Sequence, residues 1–309
     1  MRGTVVKSTG SNYHVILENG EEKVCKLRGK IRLQGMRTTN PVAVGDRVIV
    51  EIDDDSHVIA EILPRENHII RRSTNLSKES HIIAANVDQL VLMVTLSQPS
   101  TSTGFIDRVL VTAEAYHIPS IVLFNKVDLL DEEGLDRLKE WKELYSNIGY
   151  TCLEMNALKV EQADLEHLFK DKVTLLTGHS GVGKSTLTNR LQPGLELKTG
   201  DISEAYNKGK HTTTFAEMHP LDIGGYIVDT PGIKGFGMVA TDKADLSHYF
   251  LEMREVLHEC KFNDCRHINE PGCAVKEALE KGEIHPSRYR SYINMYEEDE
   301  GPYRKDIYA

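Results

Sequence analysis

The chain has 309 residues, 40% of them hydrophobic and 27% charged, with a formal net charge of −10. That is the composition of a globular protein with room for two or three domains. It excludes a nucleic-acid binder that is basic throughout, and the lack of any long apolar run excludes a membrane-spanning helix.

The opening stretch MRGTVVKSTGSNYHV lacks the apolar core of a signal peptide, so a cytosolic location is expected, with no membrane partner. Five cysteines, an odd number, argue against a disulfide framework. The charge is unevenly spread: the first 85 residues are net basic and the rest carries the acidity. This leaves room for one basic contact surface on an acidic body.

Residues 1–66 read as five short strands, GTVVKS, NYHVILE, KVCKLRGKIRL, DRVIVEI and HVIAEIL, separated by turn signals such as Glu18-Asn19-Gly20. Five strands in so short a segment predict a small closed β-barrel, with an OB-fold leading. Lys23, Lys26, Arg28, Lys30, Arg32 and Arg37 fall in a window without an acidic residue. Such a window is either a solvated strand face or a nucleic-acid surface. Pro64 to Asn67 reads as a linker, and the polar segment to Asn86 shows no strong periodicity.

From Asp88 the pattern alternates: strand QLVLMVTL, helix FIDRVLVTAEAYH, strand SIVLFNKVDLL. A helix with Leu135, Leu138, Trp141, Leu144, Tyr145 and Ile148 on one face follows, then strand YTCLEMNA and a short helix near Leu165–Phe169. Strands separated by helices predict parallel βαβ units in a doubly wound α/β sheet.

The stretch KVTLLTGHSGVGKSTLTNRL organises the chain. A β-branched apolar strand leads into Gly178, His179, Ser180, Gly181, Val182, Gly183, Lys184, Ser185 and Thr186, and a helical pattern follows. This is G-x-x-x-x-G-K-[ST] in its strand–loop–helix setting. Glycines let backbone N–H groups converge on phosphate oxygens, and the helix start adds its unpaired donors. Lys184 would reach the β/γ-phosphates and the Ser185 hydroxyl would ligate Mg²⁺. The loop is expected to bind a nucleoside triphosphate.

Asn125, Lys126 and Asp128 close a strand at its carboxyl end, where open α/β sheets bind ligands. An Asp128 carboxylate can accept from N1–H and the N2 amino group of guanine; adenine would leave it unpaired. Lys126 can lie along the base, and Asn125 can tie this loop to the phosphate-loop strand. Asn156 and Ala157 end the next strand, where a backbone N–H can meet guanine O6. The expected nucleotide is GTP.

GHSGVGKST, FNKVD, NAL, HTTT and Asp229-Thr230-Pro231-Gly232 together resemble the five signature boxes of a GTPase. The base-recognition boxes precede the phosphate loop, the reverse of the Ras-like order, as in a circular permutation. With the leading barrel and a C-terminal cysteine cluster, the chain resembles the ribosome small-subunit-dependent GTPase A family over nearly its whole length. The resemblance implies three domains, 1–66 an OB-fold, 67–237 the permuted GTPase domain and 238–309 a helical zinc-binding domain. It also implies GTP hydrolysis to GDP and phosphate, stimulated by the small ribosomal subunit during its late maturation. The partners would be GTP or GDP, that subunit and its 16S rRNA, and the protein is expected to be monomeric. The alternatives are a GTP-regulated RNA-binding module whose hydrolysis is incidental, and a P-loop kinase or ATPase.

In the switch segments Thr213 is expected to bind Mg²⁺, with Thr212 next in line. Asp229 would hold Mg²⁺ through water, and the Gly232 amide would sense the γ-phosphate. Ile233 stands where Ras-like proteins carry a water-orienting glutamine. An isoleucine cannot orient water, so basal hydrolysis is expected to be slow. The resemblance assigns the catalytic role to His211.

Cys260, Cys265, His267 and Cys273 supply a full tetrahedral set for one structural Zn²⁺. The flanking segments Ala244–Glu259, Ala274–Glu280 and Ser287–Tyr296 read as helices around it. Cys25 and Cys152 fall inside predicted strands and are expected to be inert core residues. This division of labour implies that chelation unfolds residues past 240 and leaves GTP binding largely intact.

Overall fold

Residues 1–28, 41–53, 56–72, 80–195, 217–229 and 243–298 are described by the computed structural model. Strands β1 (Arg2–Ser8), β2 (Tyr13–Leu17), β3 (Glu22–Leu27), β4 (Arg47–Asp53) and β5 (Ser56–Ile62) run in the order β1-β2-β3-β5-β4, and β4 pairs back onto β1. Only the β3–β5 pair is parallel. This is a closed five-stranded OB-fold barrel. Its interior is built from alternate strand residues, among them Val5, Val15, Cys25, Val48, Val50 and Ile59, each fully buried.

The basic window on this barrel is partly neutralised. Lys23 pairs with Glu21, and Arg28 pairs with Glu51 and Asp53. Lys26 lines a groove with Tyr13 and Leu27. Lys30, Arg32 and Arg37 lie outside the described residues.

Pro64–Asn67 is a pinned joint. Arg65 donates through Nε and Nη2 to both oxygens of the fully buried Asp46, at 2.6 and 2.7 Å, and to the Pro41 carbonyl. Asn67 exchanges two hydrogen bonds with the Val87 backbone. The segment that follows, aperiodic in sequence, forms a hairpin of β6 (His68–Arg72) and β7 (Ser80–Ala85). A register shift between Ile69 and Ile70 breaks the alternation that would have revealed it.

The central sheet takes the order β10-β9-β8-β11-β13-β12. Strands β8 (Gln89–Val94), β9 (Ser120–Asn125), β10 (Thr151–Met155), β11 (Val173–Thr177) and β13 (Tyr226–Asp229) are parallel, and β12 (Glu217–Pro220) is antiparallel to β13. Strand β8 is buried on both faces. Leu90, Leu92 and Val94 pack on the layer of α1 (Thr103–Ala115) and α2 (Glu132–Ile148). Val91 and Met93 pack on the layer of α3 (Gln162–Phe169) and α4 (Lys184–Leu191). On the α2 face Leu138 and Tyr145 are buried, Trp141, Leu144 and Ile148 are half-buried, and Leu135, in the first turn, is 50% exposed.

The barrel meets this sheet where β1 pairs with β12, Lys7 opposite Glu217, and the Lys7 ammonium reaches the Glu217 carboxylate at 3.1 Å.

The C-terminal region is helical but less regular than expected. Ala244–Glu259 is interrupted: a 3₁₀ stretch Lys243–Tyr249, one turn Leu251–Arg254 and a second 3₁₀ turn Leu257–Glu259. Phe250 causes the first break, since it takes an extended backbone (φ −93°, ψ 106°) and its ring is fully buried. The helices Ala274–Lys281 and Pro286–Glu297 complete a small core with Met253, Val275, Tyr292 and Met295.

Arg65→Met would leave the Asp46 carboxylate buried without its cation. A loss of about 3–5 kcal/mol is expected in urea unfolding, and a loss under about 1 kcal/mol would contradict the role given to this pair.

Candidate functional site

The carboxyl ends of β8, β9, β10 and β11 meet at one edge of the sheet, where a parallel α/β sheet offers its loops to a ligand. The loop after β11 lies hard against its neighbours. A Cβ on Gly178 (φ +143°) would stand 2.4 Å from the Met93 carbonyl oxygen, and one on Gly183 (φ +108°) 2.5 Å from Asn125 Nδ2. Neither position admits another residue without displacing backbone or breaking a bond. Lys184, at the start of α4, donates from Nζ to the carbonyls of Gly178 and His179, 2.8 Å each. Ser185 and Thr186 are half-buried in the first turn of α4, and Ser180 and Gly181 are exposed at the loop tip.

Asn125 ends β9 and is 3% exposed. Its Nδ2 donates to the Val182 carbonyl at 2.8 Å, and its Oδ1 accepts from the Ala157 amide at 2.9 Å. One amide side chain thus joins the loops after β9, β10 and β11. Lys126, in the left-handed region (φ 60°), adds a second tie: its ammonium donates to the Gly181 carbonyl and to that of Gln98, 2.8 Å each. Asp128 is exposed at the rim. The Asn156 side chain accepts from the Leu158 amide at 2.9 Å. The Ala157 and Leu158 amides are both committed within these loops, so a base carbonyl would have to share one of them.

One contact has no local signal in the sequence. The Phe105 ring, in the first turns of α1, stacks on the His179 imidazole with centroids 3.9 Å apart and planes 27° apart. Burial and the nearby Lys184 ammonium hold the His179 pKa below its ordinary value, which favours the neutral ring.

In the C-terminal region Cys260, Cys265, His267 and Cys273 bring one ligand atom each within 4.8 Å of one another. The His267 Nδ1 lies 3.6 Å from the Cys260 sulfur and 3.5 Å from that of Cys273. Burial lowers the His267 pKa, favouring the neutral ligand form, and pushes the Cys265 thiol up to about 12 and the Cys273 thiol up as well. Three sulfurs and one imidazole nitrogen gathered so closely fit a single metal ion, whose charge would bring those thiols down to thiolates. Tyr289 and Tyr292 hydroxyls donate to the carbonyls of His267 and Arg266, 2.7 Å each, and hold the ligand loop on the last helix.

Residues 62–239 match the family described as RsgA GTPase, and residues 2–59 match the RsgA N-terminal domain. The chain belongs to the RsgA GTPase family. A relative from Bacteroides fragilis, named small ribosomal subunit biogenesis GTPase RsgA, is 53% identical over 98% of this chain and 99% of its own. The crystal structure of YjeQ from Thermotoga maritima superposes with a TM-score of 0.77 at 39% identity, covering 96% of each chain. A second solved structure, YloQ, titled a circularly permuted GTPase, gives a TM-score of 0.70 at 32% identity over 96% of this chain and 93% of its own.

Of the RsgA switch residues named from sequence, His211, Thr212, Thr213 and Gly232 lie outside the described residues. The backbone of Asp229 closes β13, beside the phosphate-loop strand β11; its side chain is outside the described part. Among the described residues no helix is long and apolar enough to cross a membrane.

Asn125→Ala would release the Val182 carbonyl and the Ala157 amide together. GDP affinity, read by fluorescence titration, is expected to fall at least tenfold, about 1.4 kcal/mol, with the far-ultraviolet circular dichroism unchanged. Unchanged affinity would contradict the bridging role.

Proposed function

We propose that this RsgA-family chain is a GTPase that hydrolyses GTP to GDP and phosphate on the small ribosomal subunit, late in that subunit's assembly, and waits for the subunit to trigger hydrolysis. The observation that carries this reading is the Asn125 bridge, because it holds a guanine-type recognition loop against a phosphate loop at one sheet edge. The names of the relatives supply the ribosomal setting.

In this reading the backbone amides of Gly178 to Thr186 wrap the phosphates, and Lys184 offers its ammonium to the β/γ-phosphates. The Asp128 carboxylate accepts from guanine N1–H and N2, Lys126 lies along the base, and an Asn156–Ala157 backbone N–H meets O6. Ser185, Thr213 and Asp229 are the residues to hold Mg²⁺, which supplies charge neutralisation on the phosphate oxygens when bound. Gly232 senses the γ-phosphate through its amide. His211 orients the attacking water, a role left open by Ile233. Cys260, Cys265, His267 and Cys273 hold one structural Zn²⁺, and the domains run 1–66, 67–237 and 238–309. The protein acts as a cytoplasmic monomer whose partners are GTP, GDP, the small subunit and its 16S rRNA.

Phosphate release is the test. Adding small ribosomal subunits is expected to raise turnover by orders of magnitude, as activators acting in trans do, and adding large subunits is not. Equal rates with and without small subunits would refute the switch reading. His211→Ala is expected to keep GTP affinity and lose the stimulated turnover at least a hundredfold, within the range of a general catalytic group; unchanged stimulated turnover would remove His211 from the mechanism.

A further inference from the structure

Helix α1 stands between the phosphate loop and the C-terminal region. Phe105 and Asp107 are two residues apart, about 200° around a helix, so they face opposite sides. On one side the Phe105 ring lies on His179 of the phosphate loop. On the other, Asp107 and Arg288 form an ion pair at 2.8 Å in which both side chains are fully buried. Glu252 completes the clamp, accepting from Arg288 Nε at 2.6 Å and Nη2 at 3.1 Å. The guanidinium lies 4.7 Å from the centre of the Phe250 ring, and the Tyr145 hydroxyl of α2 donates to the same Asp107 oxygen at 2.8 Å.

This cluster does more to set geometry than to add stability. A buried ion pair commonly stabilises no better than well-packed apolar groups, but its loss on one side is costly. The planar fork of an arginine fixes both distance and angle between the groups it joins. The same face of α1 carries Val111, which packs in the C-terminal core, and the adjacent Arg108 pairs with Glu298. The last helix also grips the metal-ligand loop through Tyr289 and Tyr292.

We propose that Phe105 and Arg288 are positioning residues for the phosphate loop: Arg288 fixes α1 through Asp107, and Phe105 passes that placement to His179. The C-terminal region and the nucleotide site are therefore coupled through α1. A partner that shifts the metal-ligand loop alters nucleotide affinity by this route. The proposal rests on the reading of Gly178–Thr186 as the phosphate-binding loop.

Linkage makes the coupling reciprocal, so GDP bound at the loop must act on the last helix. In the full wild-type chain, GDP is expected to slow amide hydrogen exchange across residues 286–297. Phe105→Leu abolishes that slowing and weakens GDP binding about tenfold, within the usual range of couplings between sites; Phe105→Tyr restores both. In Asp107→Asn combined with Arg288→Met and Glu252→Gln, which removes all three charges of the cluster, the His179 ring-proton resonances move toward those of Phe105→Leu. A purely structural Arg288 would lower the melting temperature and leave those resonances in place. The proposal is overturned if GDP binds the wild type without changing exchange in 286–297, or if the slowing persists in Phe105→Leu. Should the triple variant fail to fold, these two exchange measurements decide alone. No binding of GDP to the wild type would instead sink the phosphate-loop reading beneath it.

Discussion

The loops at the carboxyl edge of the central sheet depend on one side chain. Asn125 is a buried amide with a donor and an acceptor aimed in different directions, and it uses them to join three loops that arrive on separate parallel strands. An aspartate could not donate to Val182, and a leucine would leave a buried carbonyl and a buried amide unpaired. Gly183 is part of the same constraint, because the space a Cβ would need is occupied by Asn125 Nδ2. The Gly178–Thr186 loop and the Asn125–Asp128 loop, apart in the chain, thus meet at one edge.

That edge explains how permuted order can carry ordinary GTPase chemistry. Strand β11, with the Gly178–Thr186 loop, sits between β8 and β13, and strands β9 and β10, which lead into Asn125 and Asn156, lie beyond β8. Spatial neighbours, and not chain order, determine which carboxyl ends meet. The barrel attaches at the opposite side of the sheet through the β1–β12 pairing and through Val44 and Gly45, which bond to the backbone of Ala85 and the side chain of Asn86. The C-terminal region attaches through α1, next to the loops themselves. A surface contact at either end therefore has a defined path into the sheet.

Much of this was legible in the sequence because its signals are local. The strand–loop–helix around Gly178–Thr186 needs particular residue types at fixed spacing, and the five barrel strands announce themselves by alternation and turns. The cysteine and histidine spacing also survives in the fold as a cluster. What was not legible depends on partners distant in the chain. Nothing near Phe105 points to His179, and Asp107 meets Arg288 across 181 positions. The β6–β7 hairpin was hidden by its bulge. The break in Ala244–Glu259 follows from burial of the Phe250 ring, a tertiary demand that overrides local helical preference. The basic window on the barrel looked freer in sequence than it is, because Glu51 and Asp53, on another strand, take up Arg28.

A site built by Asn125 and its neighbours for guanine must distinguish GDP from ADP. Calorimetric titration of the full chain with GDP and with ADP, both with Mg²⁺, tests it most directly. GDP is expected to bind at least tenfold more tightly than ADP, because Asp128 finds two donors on guanine, N1–H and the N2 amino group, and neither on adenine. Equal affinity for the two nucleotides would remove Asp128 from base recognition.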